Sequence, residues 1–157
     1  MVRRYAEQQV VVAATPHECF ETLIDYESFP SWQRAVKGVE VVSRDQAGRG
    51  EEVLIEVDAE VGTVSYRLVY TYEPPHRISW KYADSHVKEV DGELILEDRG
   101  DGTTLATYSV AIEPGGAWVP GRVLTILDER LMRGSLDDLK RRLERSRSAR
   151  DGDGAGD

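Results

Sequence analysis

A four-residue apolar rhythm runs through residues 117–147, and few folds can accommodate it. Val119, Val123, Leu127, Leu131, Ser135, Leu139 and Leu143 recur at every fourth position, with Leu124, Met132 and Leu136 broadening the stripe. At 3.6 residues per turn, that spacing gathers one face of a long helix. Such a face is not stable in water unless an apolar surface of similar length covers it. Almost everything upstream alternates with a period of two, so the cover is expected to be a curved β-sheet. Sheet and helix then close on each other imperfectly and leave a cavity.

The upstream order supports this. Residues 5–13 read as a first strand ending in Val10-Val11-Val12. Thr15-Pro16-His17-Glu18 then combines an N-cap threonine, a proline at the first helical position and a glutamate three residues after the cap, which is a reciprocal capping box. The helix is expected to end near Asp25. The aromatic, proline-containing segment Tyr26-Glu27-Ser28-Phe29-Pro30-Ser31-Trp32 breaks its period and forms a short second helix or turn. Strands follow at 39–44, 52–61, 64–72, 77–82, from after His86 to about 97, and 103–113. In the second of these, Val53, Ile55, Val57, Ala59 and Val61 oppose Glu52, Leu54, Glu56, Asp58 and Glu60, giving one dry and one wet face. Residues 64–72 carry plausible core residues on both sides, so their inward face stays open: either Tyr66, Leu68, Tyr70 and Tyr72, or Ser65, Arg67, Val69 and Thr71.

At 157 residues the chain has the length of one domain with a substantial core. The expected boundaries are a folded unit at 1–148 and a disordered, glycine-rich polar tail at 149–157. The formal charge of −9 argues against a general nucleic-acid binder. Lys140, Arg141, Arg142, Arg145, Arg147 and Arg150 instead suit the end of a helix, where cations complement its dipole and keep one face solvated. No apolar run approaches the ~20 residues needed to cross a bilayer, and the start lacks the apolar core of a signal peptide, so the cytoplasm is the expected location. Cys19 is the only cysteine and reads as a buried thiol. His17, His76 and His86 lie on separate elements without ligand spacing, so no metal is expected. With no P-loop, dinucleotide fingerprint or nucleophile elbow, no cofactor is expected either.

The order of motifs resembles the START-like, or helix-grip (SRPBCC), superfamily, and within it the polyketide cyclase/dehydrase family that includes coenzyme Q-binding START-like proteins. The resemblance rests on Ala14-Thr15-Pro16-His17-Glu18-Cys19-Phe20, on Asp25-Tyr26-Glu27-Ser28-Phe29-Pro30-Ser31-Trp32 with Val36-Lys37-Gly38-Val39, on Tyr72-Glu73-Pro74-Pro75-His76-Arg77-Ile78-Ser79-Trp80, and on Gly102-Thr103-Thr104. It implies an α+β helix-grip fold: about seven curved antiparallel strands wrapped around a long C-terminal helix, with one or two short helices after the first strand. Many relatives carry tryptophan two residues after the glycine of the sixth strand. Here Gly92-Glu93-Leu94 has leucine, which reshapes the cavity and weakens transfer of any one ligand.

The expected cavity wall consists of Trp32, Tyr66, Leu68, Tyr70, Trp80, Tyr82, Leu94, Tyr108, Trp118, Leu124, Leu127 and Leu131. Buried phenols need partners, and a ligand could supply them. The leading expectation is therefore binding or carriage of a hydrophobic small molecule: a lipid, an isoprenoid or quinone, or a polyketide. The alternative is a polyketide aromatase/cyclase, with Arg67, Tyr66 and Asp128 as the candidate catalytic groups. A third reading is a protein-interaction module similar to the ribosome-associated START-like toxins, using the basic end. The oligomeric state is open.

Overall fold

The alternating segments assemble into one antiparallel sheet, and the long apolar stripe lies against it. A computed structural model describes residues 4–59, 62–83, 89–113 and 129–154. Its strands are β1 (Arg4–Val12), β2 (Val36–Arg44), β3 (Gly50–Ala59), β4 (Gly62–Glu73), β5 (Arg77–Tyr82), β6 (Glu89–Asp98) and β7 (Thr104–Glu113). Its helices are α1 (Pro16–Leu23), α2 (Phe29–Trp32), entered through a 3-10 turn at Tyr26–Ser28, and α3 (Glu129–Gly154). The strand order is β1-β7-β6-β5-β4-β3-β2, a curved meander whose last strand returns beside the first. Among the described residues this is the α+β helix-grip arrangement that the patterning called for.

Local chemistry sets the boundaries. Glu18 N–H donates to Thr15 Oγ1 at 3.2 Å and Thr15 N–H to Glu18 Oε1 at 3.1 Å, so the capping box starts α1 as read. The helix buries Cys19, Phe20 and Leu23. Thr104 Oγ1, fully buried at the head of β7, donates to Ala14 O at 2.7 Å and pins the β1–α1 junction to the sheet.

Pairing decides the face of β4. Its Tyr66 and Leu68 lie opposite Ile55 and Val53, on the dry side of β3. Hence Val64, Tyr66, Leu68 and Tyr70 are buried, and Ser65, Arg67, Val69 and Thr71 face solvent.

The α3 helix buries Met132, Leu136, Leu139 and Leu143 and packs mainly across β1. β1 is an edge strand, and α3 side chains bond backbone groups along its second half and just past its end. Arg133 Nη1 donates to Gln9 O at 3.2 Å and Lys140 Nζ to Val11 O at 3.1 Å, while Ala13 N–H donates to Glu144 Oε2 at 3.1 Å. An edge occupied in this way cannot template another strand.

One boundary differs. The helix continues to Gly154, past residue 149, where composition suggested the start of a disordered tail. Each glycine costs only about 1 kcal/mol in a helix interior, and extending a formed helix is far easier than nucleating one. The upper part of the expected helix, residues 117–128, lies outside the described residues.

Candidate functional site

Between the sheet, α1–α2 and α3 lies a cavity of about 150 Å³. A space of that size accommodates an aromatic ring in other proteins. The sheet forms its floor through Tyr66, Leu68, Tyr70, Trp80, Leu94 and Tyr108, as the sequence suggested. Ile55, Val57, Ile78 and Val110 complete that floor from the same faces of their strands. The opposite wall comes from the α1–β2 connection and α3, through Tyr26, Phe29, Gln33, Leu131, Met132, Ser135 and Asp138.

An aromatic chain crosses the site. Ring centroids are 5.3 Å apart for Phe29–Tyr26, 4.7 Å for Tyr26–Tyr70, 5.8 Å for Tyr70–Trp80 and 5.4 Å for Trp80–Tyr108. Contacts of this kind add about 0.5–1.5 kcal/mol each beyond burial, so these rings form a stiff wall. Trp80 lies directly over Gly92, its cross-strand partner, where only hydrogen leaves room for the indole.

The phenols divide into two groups. Tyr26 Oη and Tyr72 Oη are 2.8 Å apart, and Tyr72 Oη also donates to Gly50 O. Tyr70 and Tyr108, by contrast, have no hydrogen-bond partner for their hydroxyls among the described residues, although both rings line the cavity. No fully inaccessible side-chain N or O among the described residues lacks a partner, so these two hydroxyls open onto cavity space. Burial, reinforced by the neighbouring Tyr108 and Tyr72, raises the Tyr70 phenol well above its usual range. Burial and the nearby Tyr66 push Tyr108 up to about 12. Both are neutral hydrogen-bond donors at physiological pH.

Polar groups also stand on the helical wall. Asp138 is 4% exposed, and its carboxylate accepts from Arg34 N–H at 3.0 Å, Arg34 Nε at 3.1 Å and Arg141 Nη1 at 3.1 Å. The bonds to Arg34 tie α3 to the residue that follows Gln33.

Three expected site residues lie elsewhere. Arg67 points away from the cavity, 53% exposed, with Nη1 3.4 Å from Glu52 Oε1, because the register of β4 turns that parity outward. Trp32 is half-buried but does not line the cavity. Its Nε1 donates to Ser28 Oγ at 2.9 Å, and its ring packs edge-on behind Phe29, which faces inward instead. Tyr82 backs Tyr66 edge-on, with centroids 6.2 Å apart, from the end of β5, outside the cavity lining. Trp118, Leu124, Leu127 and Asp128 lie outside the described residues.

The sequence reading did not name Tyr26, Phe29, Gln33 or Asp138 as cavity residues. The α1–β2 connection has no periodicity from which to read a face. On α3, the four-residue spacing did place Ser135 on the inward stripe.

A curved antiparallel meander covered by a long helix, with an aromatic-lined cavity between them, is the helix-grip class of fold. The chain belongs to the polyketide cyclase/dehydrase and lipid transport family, whose profile matches residues 4–144. Solved structures agree at the level of fold. A START superfamily protein from Mycobacterium smegmatis superposes with a TM-score of 0.75 at 20% identity, covering 90% of this chain and 97% of that one. The Zhui aromatase/cyclase from Streptomyces sp. R1128 gives 0.77 at 18% identity, covering 92% and 95%. A protein from Thermus thermophilus gives 0.72 at 17% identity, covering 91% and 99%. No curated protein sequence matches the chain significantly. Among the described residues no helix is long and apolar enough to cross a membrane.

Proposed function

We propose that this protein binds and carries a hydrophobic, oxygen-bearing small molecule of the lipid, isoprenoid or polyketide kind in the space between its sheet and α3. The observation that carries this reading is the pair of hydroxyls on Tyr70 and Tyr108, which stand at a largely apolar cavity without protein partners among the described residues. A greasy ligand with an oxygen satisfies both the walls and the phenols. If it buries ~300 Å² of apolar surface at ~25 cal/mol per Å², the gross gain is ~7 kcal/mol. Association costs remove part of that, which makes micromolar affinity the expected range. On this reading the carrier is the unit that the family profile spans, residues 4–144.

The groups in the cavity favour carriage over cyclisation. A cyclase needs a charged or titrating group beside the reacting carbon. Among the described residues Arg67 is on the other face of the sheet, the carboxylate of Asp138 is held by Arg34 and Arg141, and the cavity phenols stay neutral, so they orient a ligand without abstracting a proton. The interaction-module reading has no comparable support, since Lys140 and Arg141 are engaged within the fold by Val11, Glu144 and Asp138.

Native mass spectrometry of freshly purified protein, followed by solvent extraction, tests carriage. A co-purifying mass that leaves on extraction is the expected result. A protein that carries nothing and also fails to bind apolar fluorescent probes would refute it.

A further inference from the structure

Two cations meet over one buried carboxylate where α3 packs against the connection from α2 to β2. Asp138 Oδ2 accepts from the Arg34 backbone N–H at 3.0 Å, and its Oδ1 accepts from both Arg34 Nε and Arg141 Nη1, each at 3.1 Å. Because both guanidiniums donate to the same oxygen atom, the donating nitrogens are at most twice that distance apart. The carboxylate side chain is 4% exposed, whereas those of Arg34 and Arg141 are 70% and 46% exposed. The anchor is inside the protein, and the cations it holds are at the surface.

A guanidinium has five N–H donors, and this arrangement uses one from each. Among the described residues neither Arg34 nor Arg141 has a further acceptor for its side chain. Elsewhere on the surface cations are matched to acids of their own, as Arg44 is with Glu27, Arg67 with Glu52 and Arg77 with Glu73 and Glu93. Here two cations share a single acid, which leaves a local excess of positive charge on a chain whose formal charge is −9. Exposed Arg145, one turn beyond Arg141 on α3, extends that excess. Ordering a long flexible cation is a principal cost of binding, and Asp138 has already ordered both.

We propose that Arg34 and Arg141 form a surface binding site for a phosphomonoester group, carried either by a soluble phosphate or by a lipid headgroup. The planar fork of a guanidinium matches two oxygens of a phosphate, and a dianion takes both cations where a carboxylate needs only one. Arg34 brings its donors from the α2–β2 connection and Arg141 from α3. Asp138 is the positioning residue: it fixes both guanidiniums and stays covered itself. The site does not depend on what the cavity holds.

Titrating sodium phosphate into the isotope-labelled full chain, with chloride exchanged to hold ionic strength constant, reads the site through backbone amide shifts. Saturable shifts are expected at Arg34, Asp138 and Arg141. Arg34→Gln or Arg141→Gln should weaken them at least about tenfold, the effect of losing a hydrogen bond to a charged group. Each variant leaves Asp138 bonded by the other arginine, so either one keeps the test available if its counterpart does not fold. Arg34→Lys keeps the charge without the fork and should bind more weakly than the original. Arg77→Gln removes the same charge from the solvent face of the sheet and should leave phosphate binding unchanged. Flotation with vesicles of phosphatidate in phosphatidylcholine separates the two sources. Flotation that both arginine variants abolish assigns the site to a lipid headgroup, and saturable phosphate binding without flotation assigns it to a soluble phosphate. No saturable shift at these residues together with no variant-sensitive flotation, or an equal weakening by Arg77→Gln, would overturn the proposal.

Discussion

Replacing Gly92 with alanine tests the site and the fold together. A Cβ built there would sit 2.1 Å from Cε2 and Nε1 of Trp80 and 2.6 Å from Cζ2, more than 1 Å inside ordinary contact. The indole cannot slide sideways, because Tyr70 and Tyr108 flank it with centroids at 5.8 and 5.4 Å. Its way out is into the cavity of about 150 Å³, so the clash is relieved by filling the ligand's space. Overpacking of this kind costs about 1–3 kcal/mol, and replacing a strand glycine returns about 0.5–1 kcal/mol of backbone entropy. The net loss is about 1–2 kcal/mol. With an unfolding entropy near 2.1 cal/mol/K per residue over this length, Tm should fall by about 3–6 °C. Thermal unfolding by circular dichroism measures the fall, and titration with an apolar probe should show binding weakened at least tenfold. In a Trp80→Leu background the same Gly92→Ala change has nothing to strike and should be neutral or slightly stabilising, a coupling that a double-mutant cycle reads directly. A Gly92→Ala protein that melts within a degree of the original, binds normally and shows no coupling would refute the claim that this glycine exists for the indole.

Arg67→Gln should leave probe affinity unchanged and shift stability by less than about 0.5 kcal/mol, because the side chain is on the solvent face; a large loss of binding would contradict that placement. Asp138→Ala should cost about 2 kcal/mol in urea denaturation, since it strands the Arg34 N–H and unties α3 from the α2–β2 junction. Asp138→Asn, which can still accept from that N–H, should recover about half. Burial raises the phenols of Tyr26 and Tyr70 well above 10.0 and those of Tyr72 and Tyr108 to about 12. A folded-state value above the unfolded one gives stability that is complete below pH 10 and lost as pH rises through about 12. Phenolate absorbance at 295 nm should therefore lag in the native protein and jump on unfolding; a single reversible titration of every tyrosine near pH 10 with the fold intact would contradict this. Thr15→Ala should cost about 1 kcal/mol, or roughly 3 °C in Tm, by removing the cap of α1.

The elements were legible wherever a single period dominated. Thr15 to Glu18 announced α1, Val53, Ile55 and Val57 announced the dry face of β3, and the leucines of α3 announced the helix that covers the sheet. The parity of β4 was not legible, because Tyr66 and Leu68 on one side and Val69 on the other are all acceptable core residues. Only pairing with β3 settles it, and with it the solvent side on which Arg67 stands. Trp32 and Phe29 pose the same problem in miniature. Both are large aromatics in a segment without a period, and a hydrogen bond from the indole to Ser28 helps decide which one faces the cavity. The buried acid Asp138 was illegible for a different reason: its acceptors are filled by Arg34, distant in sequence, and by Arg141, which by itself reads as a solvated helix cation.

The pairing of β1 with β7 has a consequence for how the molecule comes into being. Val12 meets Thr104 and Ala6 meets Val110, so the first strand made can find its neighbour only after the rest of the meander exists. During synthesis, a strand with both flanks open must wait for nearly a hundred residues to leave the ribosome. Closure of so long a loop makes folding slow relative to helical proteins of this size. That interval is when the nascent chain is most exposed to aggregation or chaperone capture, and a permuted chain joining β1 directly behind β7 should shorten it.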